Sequence, residues 1–91
     1  VRDYSRGEGL DTIGLRMGCI YGNMQFAMED QGWITWLTIL SFFNKKIKIF
    51  GDGKQVRDIL FVSDLVELFL KISKIKKNDD KIYNVGGGFN N

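Results

Sequence analysis

The sequence predicts an α/β fold, and three observations carry that prediction. Short apolar runs of strand length alternate with longer stretches whose apolar residues recur at helical spacing. The resulting order is helix, strand, helix, strand, strand, helix, strand. Glycine-bearing turns separate the runs, with 11 Gly and no Pro in 91 residues. A hydrophobic fraction of 44%, including 13% aromatic residues, suits a packed interior and not a disordered chain. At this length the chain is one domain at most, or part of one, and its stability margin is thin.

Val1 to Gly9 reads as the last turns of a helix, with Gly7 and Gly9 as candidate stop residues. Thr12 to Met17 is a short strand of branched and apolar residues, and Gly18 and Gly22 bracket a turn after it. Residues 23–30 are polar and loop-like. A helix from Gln31 to Phe43 carries Trp33, Ile34, Trp36, Leu37, Ile39, Leu40, Phe42 and Phe43 over most of its circumference. A helix that is apolar nearly all round is buried in a larger body or in an interface. Ile47 to Phe50 is a brief strand and Val56 to Val62 another, on either side of the turn at Gly51 and Gly53. Ser63 or Asp64 caps a helix to Ile75, with Leu65, Leu68, Phe69 and Ile72 on one face. Lys76 to Asp80 is a charged loop, and Lys81 to Val85 is a last strand ending in Gly86-Gly87-Gly88.

Composition excludes several functions. The net charge of +2 is too small to argue for nucleic acid. Charge is uneven: residues 1–43 hold three Arg and five acids, whereas residues 44–91 hold ten bases and six acids. Lys71, Lys74, Lys76, Lys77 and Lys81 gather near one helix end, as a solvated terminus suited to the helix dipole or as an anion-binding patch. The single cysteine, Cys19, and the absence of histidine leave no disulfide within the chain, no transition-metal cluster and no triad base. Val1-Arg2-Asp3-Tyr4 is not a signal peptide, and Trp33 to Phe43 is too short to cross a bilayer. A reducing, cytoplasmic location is the expectation.

Four segments are candidates for chemistry. Phe50 to Asp64 presents Arg57 and Asp58 just after a glycine turn, and a planar, permanently charged guanidinium there suits a phosphate. The alternative is that Arg57 and Asp58 simply pair with neighbours on a sheet, as exposed pairs that contribute little. Gly18 to Gly22 lies beyond the carboxyl end of a strand, where α/β sheets bind ligands, or else is a tight turn with Cys19 and Tyr21 buried. Asn23 to Trp33 mixes amides, acids and aromatics, a blend that holds a base or sugar, or else is a loop leading Trp33 and Trp36 into a core. Gly86-Gly87-Gly88 follows a strand as half of a phosphate cradle but opens no visible helix.

Taken together, Leu15-Arg16-Met17-Gly18-Cys19-Ile20-Tyr21-Gly22, Gly51 to Asp58, Val62-Ser63-Asp64 and Tyr83 to Gly88 occur in an order that resembles the extended short-chain dehydrogenase/reductases. That is the NAD-dependent epimerase/dehydratase family acting on nucleotide sugars. The resemblance implies a Rossmann-like NAD(P)-binding part and a C-terminal substrate-binding part. Residues 1–22 would match the end of the first and residues 23–91 the second, as a fragment of the whole. It implies that Arg57 contacts the substrate diphosphate, that Gln31 to Trp33 line the nucleotide end, and that Cys19 and Gln25 face substrate. Met17 and Gly18 would approach the cofactor, NAD. In the family Cys19 is often Asn or Ser, and cysteine is a poorer hydrogen-bond partner.

The departures are equally specific. The glycine-rich NAD fingerprint is absent, and Tyr4 is followed four residues later by Glu8 instead of the lysine of the family's Tyr-x-x-x-Lys pair. The resemblance implies that the parent is an NAD-dependent epimerase that transiently oxidises a sugar hydroxyl, and the departures imply that the chain binds a CDP-linked sugar without catalysing on its own. The competing expectation is a non-catalytic module that self-associates through helix 31–43. A homo-oligomer is expected, with no metal, nucleic acid or membrane partner.

Overall fold

A computed structural model describes residues 7–75 and 82–89. Gly7 and Glu8 are helical, and Gly9 ends the turn with a φ of +64°, the left-handed geometry that glycine adopts most readily. The rest of the expected first helix lies outside the described residues, as do Lys76 to Asp80.

Four strands form two parallel pairs. Strand β1 (Gly14–Met17) lies beside β4 (Ile82–Val85), with Gly14 opposite Ile82 and Met17 opposite Val85. Strand β2 (Cys19–Tyr21) lies beside β3 (Ile59–Phe61), with Cys19 opposite Ile59 and Tyr21 opposite Phe61. The expected turn from Gly18 to Gly22 is thus a second strand. One residue, Gly18, separates β1 from β2, so the chain passes from one sheet into the other there. Tyr21 and Phe61 continue the pairing through their rings, 5.3 Å apart.

Helix α1 (Trp33–Phe42) begins after Gly32, two residues later than the pattern suggested, and ends one residue sooner. Helix α2 (Val62–Ser73) starts directly from β3, with Phe61 at the capping position. No side chain caps it. Ser63 and Asp64 therefore lie inside its first turn, where the Asp64 carboxylate complements the helix dipole. Glu67 and Lys71, one turn apart on the exposed side, pair at 2.8 Å. Their contact holds the carboxyl below its ordinary pKa and the ammonium above, but a surface pair of this kind contributes little stability.

Two expected strands are corrected. Residues 47–50 form no ladder, although Ile47, Lys48, Ile49 and Phe50 alternate as a strand would. A strand needs a partner for its N–H and C=O groups, and this segment has none among the described residues. It is instead the start of a loop, closed by Gln55 Nε2 donating to the Phe50 carbonyl at 2.6 Å. The second segment, Val56 to Val62, is strand only over Ile59–Phe61, because only those residues lie opposite β2. Val56 is 90% exposed.

The core is small. Leu60 in the middle of β3 and Leu65 in the first turn of α2 are the only buried hydrophobic residues among those described. The expected face of α2 follows them, with Leu68 and Ile72 half-buried and Phe69 more open. In contrast, α1 carries seven apolar residues and buries none. The described structure is elongated, 52 × 26 × 26 Å. Its radius of gyration is 17.2 Å, against about 12 Å for a compact chain of this length.

So little burial leaves a narrow margin between folded and unfolded chain. The isolated chain is expected to unfold below about 65 °C, the upper end for ordinary domains, in a thermal melt followed by circular dichroism at low concentration. A cooperative two-state melt of a dilute monomer above that temperature contradicts the description.

Candidate functional site

Because β1 and β4 run parallel and end in register, their carboxyl ends open on the same side. A cleft of about 880 Å³ lies there. Arg16, Met17 and Gly18 of β1 and its end form one part of the wall, and Asn84, Val85 and Gly86 of β4 and its end form another. Val56, Arg57 and Asp58, leading into β3, complete it, with Gly88 and Phe89 at the rim. This is the position at which open α/β sheets receive ligands.

Arg57 is exposed, and its Nη1 donates to the carbonyl of Val56 at 3.3 Å. It forms no ion pair among the described residues, so most of its donor fork faces the cleft or solvent. The loop before it is organised by short-range bonds: Asp52 Oδ1 accepts the Lys54 N–H at 3.1 Å, and Gln55 closes back on Phe50. Asp58 is fixed differently. Its Oδ1 accepts the Gly87 N–H at 2.9 Å, and its carbonyl accepts the Cys19 N–H at 3.4 Å. Among the described residues neither Arg57 nor Asp58 forms the ion pair with a neighbour that was the alternative reading.

A second group of residues lies along the loop 23–32. Gln25 donates from Nε2 to the Ile20 carbonyl at 3.3 Å and accepts at Oε1 from the Thr35 hydroxyl at 2.7 Å. This half-buried amide pins the loop between β2 and α1. Met28 and Gln31 exchange main-chain hydrogen bonds at 2.9 and 3.2 Å, which folds the loop back just before α1. Trp33 Nε1 then donates to Cys19 Sγ at 2.9 Å. Cys19 is half-buried and belongs to β2 instead of a turn.

The structure therefore gathers the sequence-predicted residues into two groups. Met17, Gly18 and Arg57 share the cleft, whereas Cys19, Gln25 and Trp33 are joined by the bonds around β2 and α1. Gln31 enters the second group through its backbone, and its side chain is exposed. Sequence reasoning missed Arg16 as a cleft residue and Thr35 as the partner of Gln25. Arg16 sits next to Met17 at the carboxyl end of β1, and that position is the signal that could have found it. No group of three His, Cys, Asp or Glu residues near enough to hold a metal occurs among the described residues. No described helix is long and apolar enough to cross a membrane.

Among the described residues the triple glycine opens no helix, and the Gly18 and Gly87 amides are already spent on Val85 and Asp58. The lysine group predicted near the end of α2 is only partly described. Lys71 is tied to Glu67 and Lys74 follows the helix, while Lys76, Lys77 and Lys81 lie outside the described residues.

Comparison with known proteins places the chain in a family. The sequence model of the NAD dependent epimerase/dehydratase family matches residues 1–86, and the chain belongs to that family. It is 40% identical to CDP-paratose 2-epimerase of Salmonella typhi over 91 residues, which cover 93% of this chain and 27% of that protein. It is 44% identical to human dTDP-D-glucose 4,6-dehydratase over 89 residues, covering 98% of this chain and 24% of that one. Among solved structures, UDP-glucose 4-epimerase of Thermotoga maritima with UDP-glucose superposes with a TM-score of 0.79 at 31% identity. That match covers 91% of this chain and 26% of the other. The fold is thus the Rossmann-like α/β fold of these epimerases, and the chain spans about a quarter of the length of the relatives it matches.

Proposed function

We propose that these 91 residues are the substrate-binding portion of an NAD-dependent nucleotide-sugar epimerase, and that the cleft takes the sugar-nucleotide diphosphate. The observation that carries the reading is Arg57, exposed in the cleft wall with no carboxylate partner among the described residues. A guanidinium fork meets two phosphate oxygens at once, and that match supplies both charge and orientation. Arg16 in the same wall adds a second positive charge. Met17, 48% exposed there, offers an apolar flank to a planar ring, and with Gly18 it is assigned the cofactor side.

The nucleotide end is assigned to the second group. Gln25, Gln31 and Trp33 bring amides and an indole to one loop, and Cys19 serves by accepting the Trp33 N–H. The stretch from Tyr21-Gly22 through Gln25-Phe26 to Asp30-Gln31-Gly32-Trp33, with the 40% identity to a CDP-paratose 2-epimerase, supports a CDP-linked sugar. Neither the Tyr-x-x-x-Lys pair nor a dinucleotide fingerprint occurs in the 91 residues. The chain is therefore assigned binding and no chemical step.

Calorimetric titration with CDP and UDP tests the reading. Arg57→Ala should weaken CDP binding by about 1.5–3 kcal/mol, the loss expected for a charged hydrogen-bonded contact, and CDP should bind more tightly than UDP. Equal affinity before and after the substitution removes the diphosphate role, and equal affinity for the two nucleotides removes the preference for cytosine.

A second reading draws on α1, whose seven apolar residues are all at least partly open: the chain self-associates through this helix. Sedimentation velocity over a hundredfold range of concentration should then show a mass that rises with concentration. A monomer throughout that range rejects it.

A further inference from the structure

Three charged side chains line the cleft, Arg16, Arg57 and Asp58, and among the described residues only Asp58 has its side chain bonded to a distant segment. Its Oδ1 accepts the N–H of Gly87, 29 residues further along the chain. The carboxylate fits because two side chains are missing around it. A Cβ at Gly86 would overlap Oδ2 and lie 2.7 Å from Cγ, and one at Gly18 would lie 3.0 Å from Oδ2. The Asp58 carbonyl meanwhile accepts from Cys19. One residue thus joins the end of β1, the approach to β3 and the glycine turn after β4.

Arg57 has no comparable anchor. It follows a loop whose bonds among the described residues, Lys54 to Asp52 and Gln55 to Phe50, are internal to it. Among the described residues the neighbour that ties the main chain of Arg57 to distant segments is Asp58, on its carboxyl side. An unanchored arginine pays a larger ordering entropy when it binds an anion. A carboxylate beside an anion site is itself unfavourable electrostatically, so its presence there calls for a second role.

We propose that Asp58 is a positioning residue for the anion site: by clasping Gly87 it fixes Arg57 at the cleft wall, and it acts on the ligand only through Arg57. This rests on the reading of the cleft as a diphosphate site. Asp58→Asn keeps an acceptor for Gly87 and loses the charge, whereas Asp58→Ala loses both. Gly86→Ala leaves Asp58 in place but displaces its carboxylate, and the Gly86 backbone is not in the left-handed region, so alanine is otherwise tolerated.

The test is CDP titration of the 91-residue chain and its variants, with circular dichroism to confirm folding. Asp58→Ala should weaken binding about tenfold, as expected for a lost hydrogen bond to a charged group. Gly86→Ala should do the same. Asp58→Asn should bind at least as tightly as wild type. In an Arg57→Ala background, neither Asp58→Ala nor Gly86→Ala should cause further loss, because a residue acting through another is silent once that other is gone. Should Asp58→Ala fail to fold, Gly86→Ala and Asp58→Asn carry the comparison. Unchanged affinity in Gly86→Ala, loss in Asp58→Asn, or an equal loss with and without Arg57 overturns the positioning role alone. CDP binding that is indifferent to Arg57→Ala overturns the diphosphate reading and this proposal with it.

Discussion

Two consecutive amides at Gly18 and Cys19 commit the chain to two different partners, and the rest of the arrangement depends on that division. The Gly18 N–H donates to Val85 at the end of β4, at 2.9 Å, and the Cys19 N–H donates to Asp58 at the approach to β3, at 3.4 Å. Parallel pairing on each side then follows in register, Gly14 to Met17 along β4 and Cys19 to Tyr21 along β3. Because the strands part here, their ends diverge, and the divergence is the cleft. A bulky residue at position 18 would meet the Asp58 carboxylate.

The same division explains where stability resides. Leu60 and Leu65 join β3 to α2, and each is worth about 1.5–3 kcal/mol when fully buried. No comparable burial exists around α1 or in the 47–50 segment, where apolar side chains are largely open. The folded state therefore relies on ladder hydrogen bonds and a few polar links, among them Gln25 to Thr35 and Asp58 to Gly87. Function and stability draw on overlapping residues, since the links that hold the strands apart also form the cleft wall.

Much of this was legible in the residues. The spacing of Leu65, Leu68 and Ile72 located the packed face of α2, and branched residues located β1 and β4. The glycine turn before Arg57 pointed to the cleft side of the chain. What was not legible depends on distant partners. Ile47 to Phe50 carries the alternation of a strand, and only the lack of a neighbouring strand distinguishes it from one. Cys19-Ile20-Tyr21 is too short to announce a strand, and its partner β3 lies some forty residues away. Nothing near Asp58 in sequence reveals that Gly87 awaits it, and nothing near Gln25 distinguishes Thr35 as its partner.

The central claim is that an anion binds where β1 and β4 end and the chain enters β3, against Arg57. Amide and guanidinium chemical shifts of the isotope-labelled chain, followed by NMR during titration with CDP, test it most directly. The account predicts that the largest changes fall on the Arg57 Nε–H and on the amides of Gly18, Asp58, Gly86 and Gly88. Changes confined to the lysines from Lys71 to Lys74, or to the apolar helix Trp33–Phe42, with Arg57 unmoved, would contradict it.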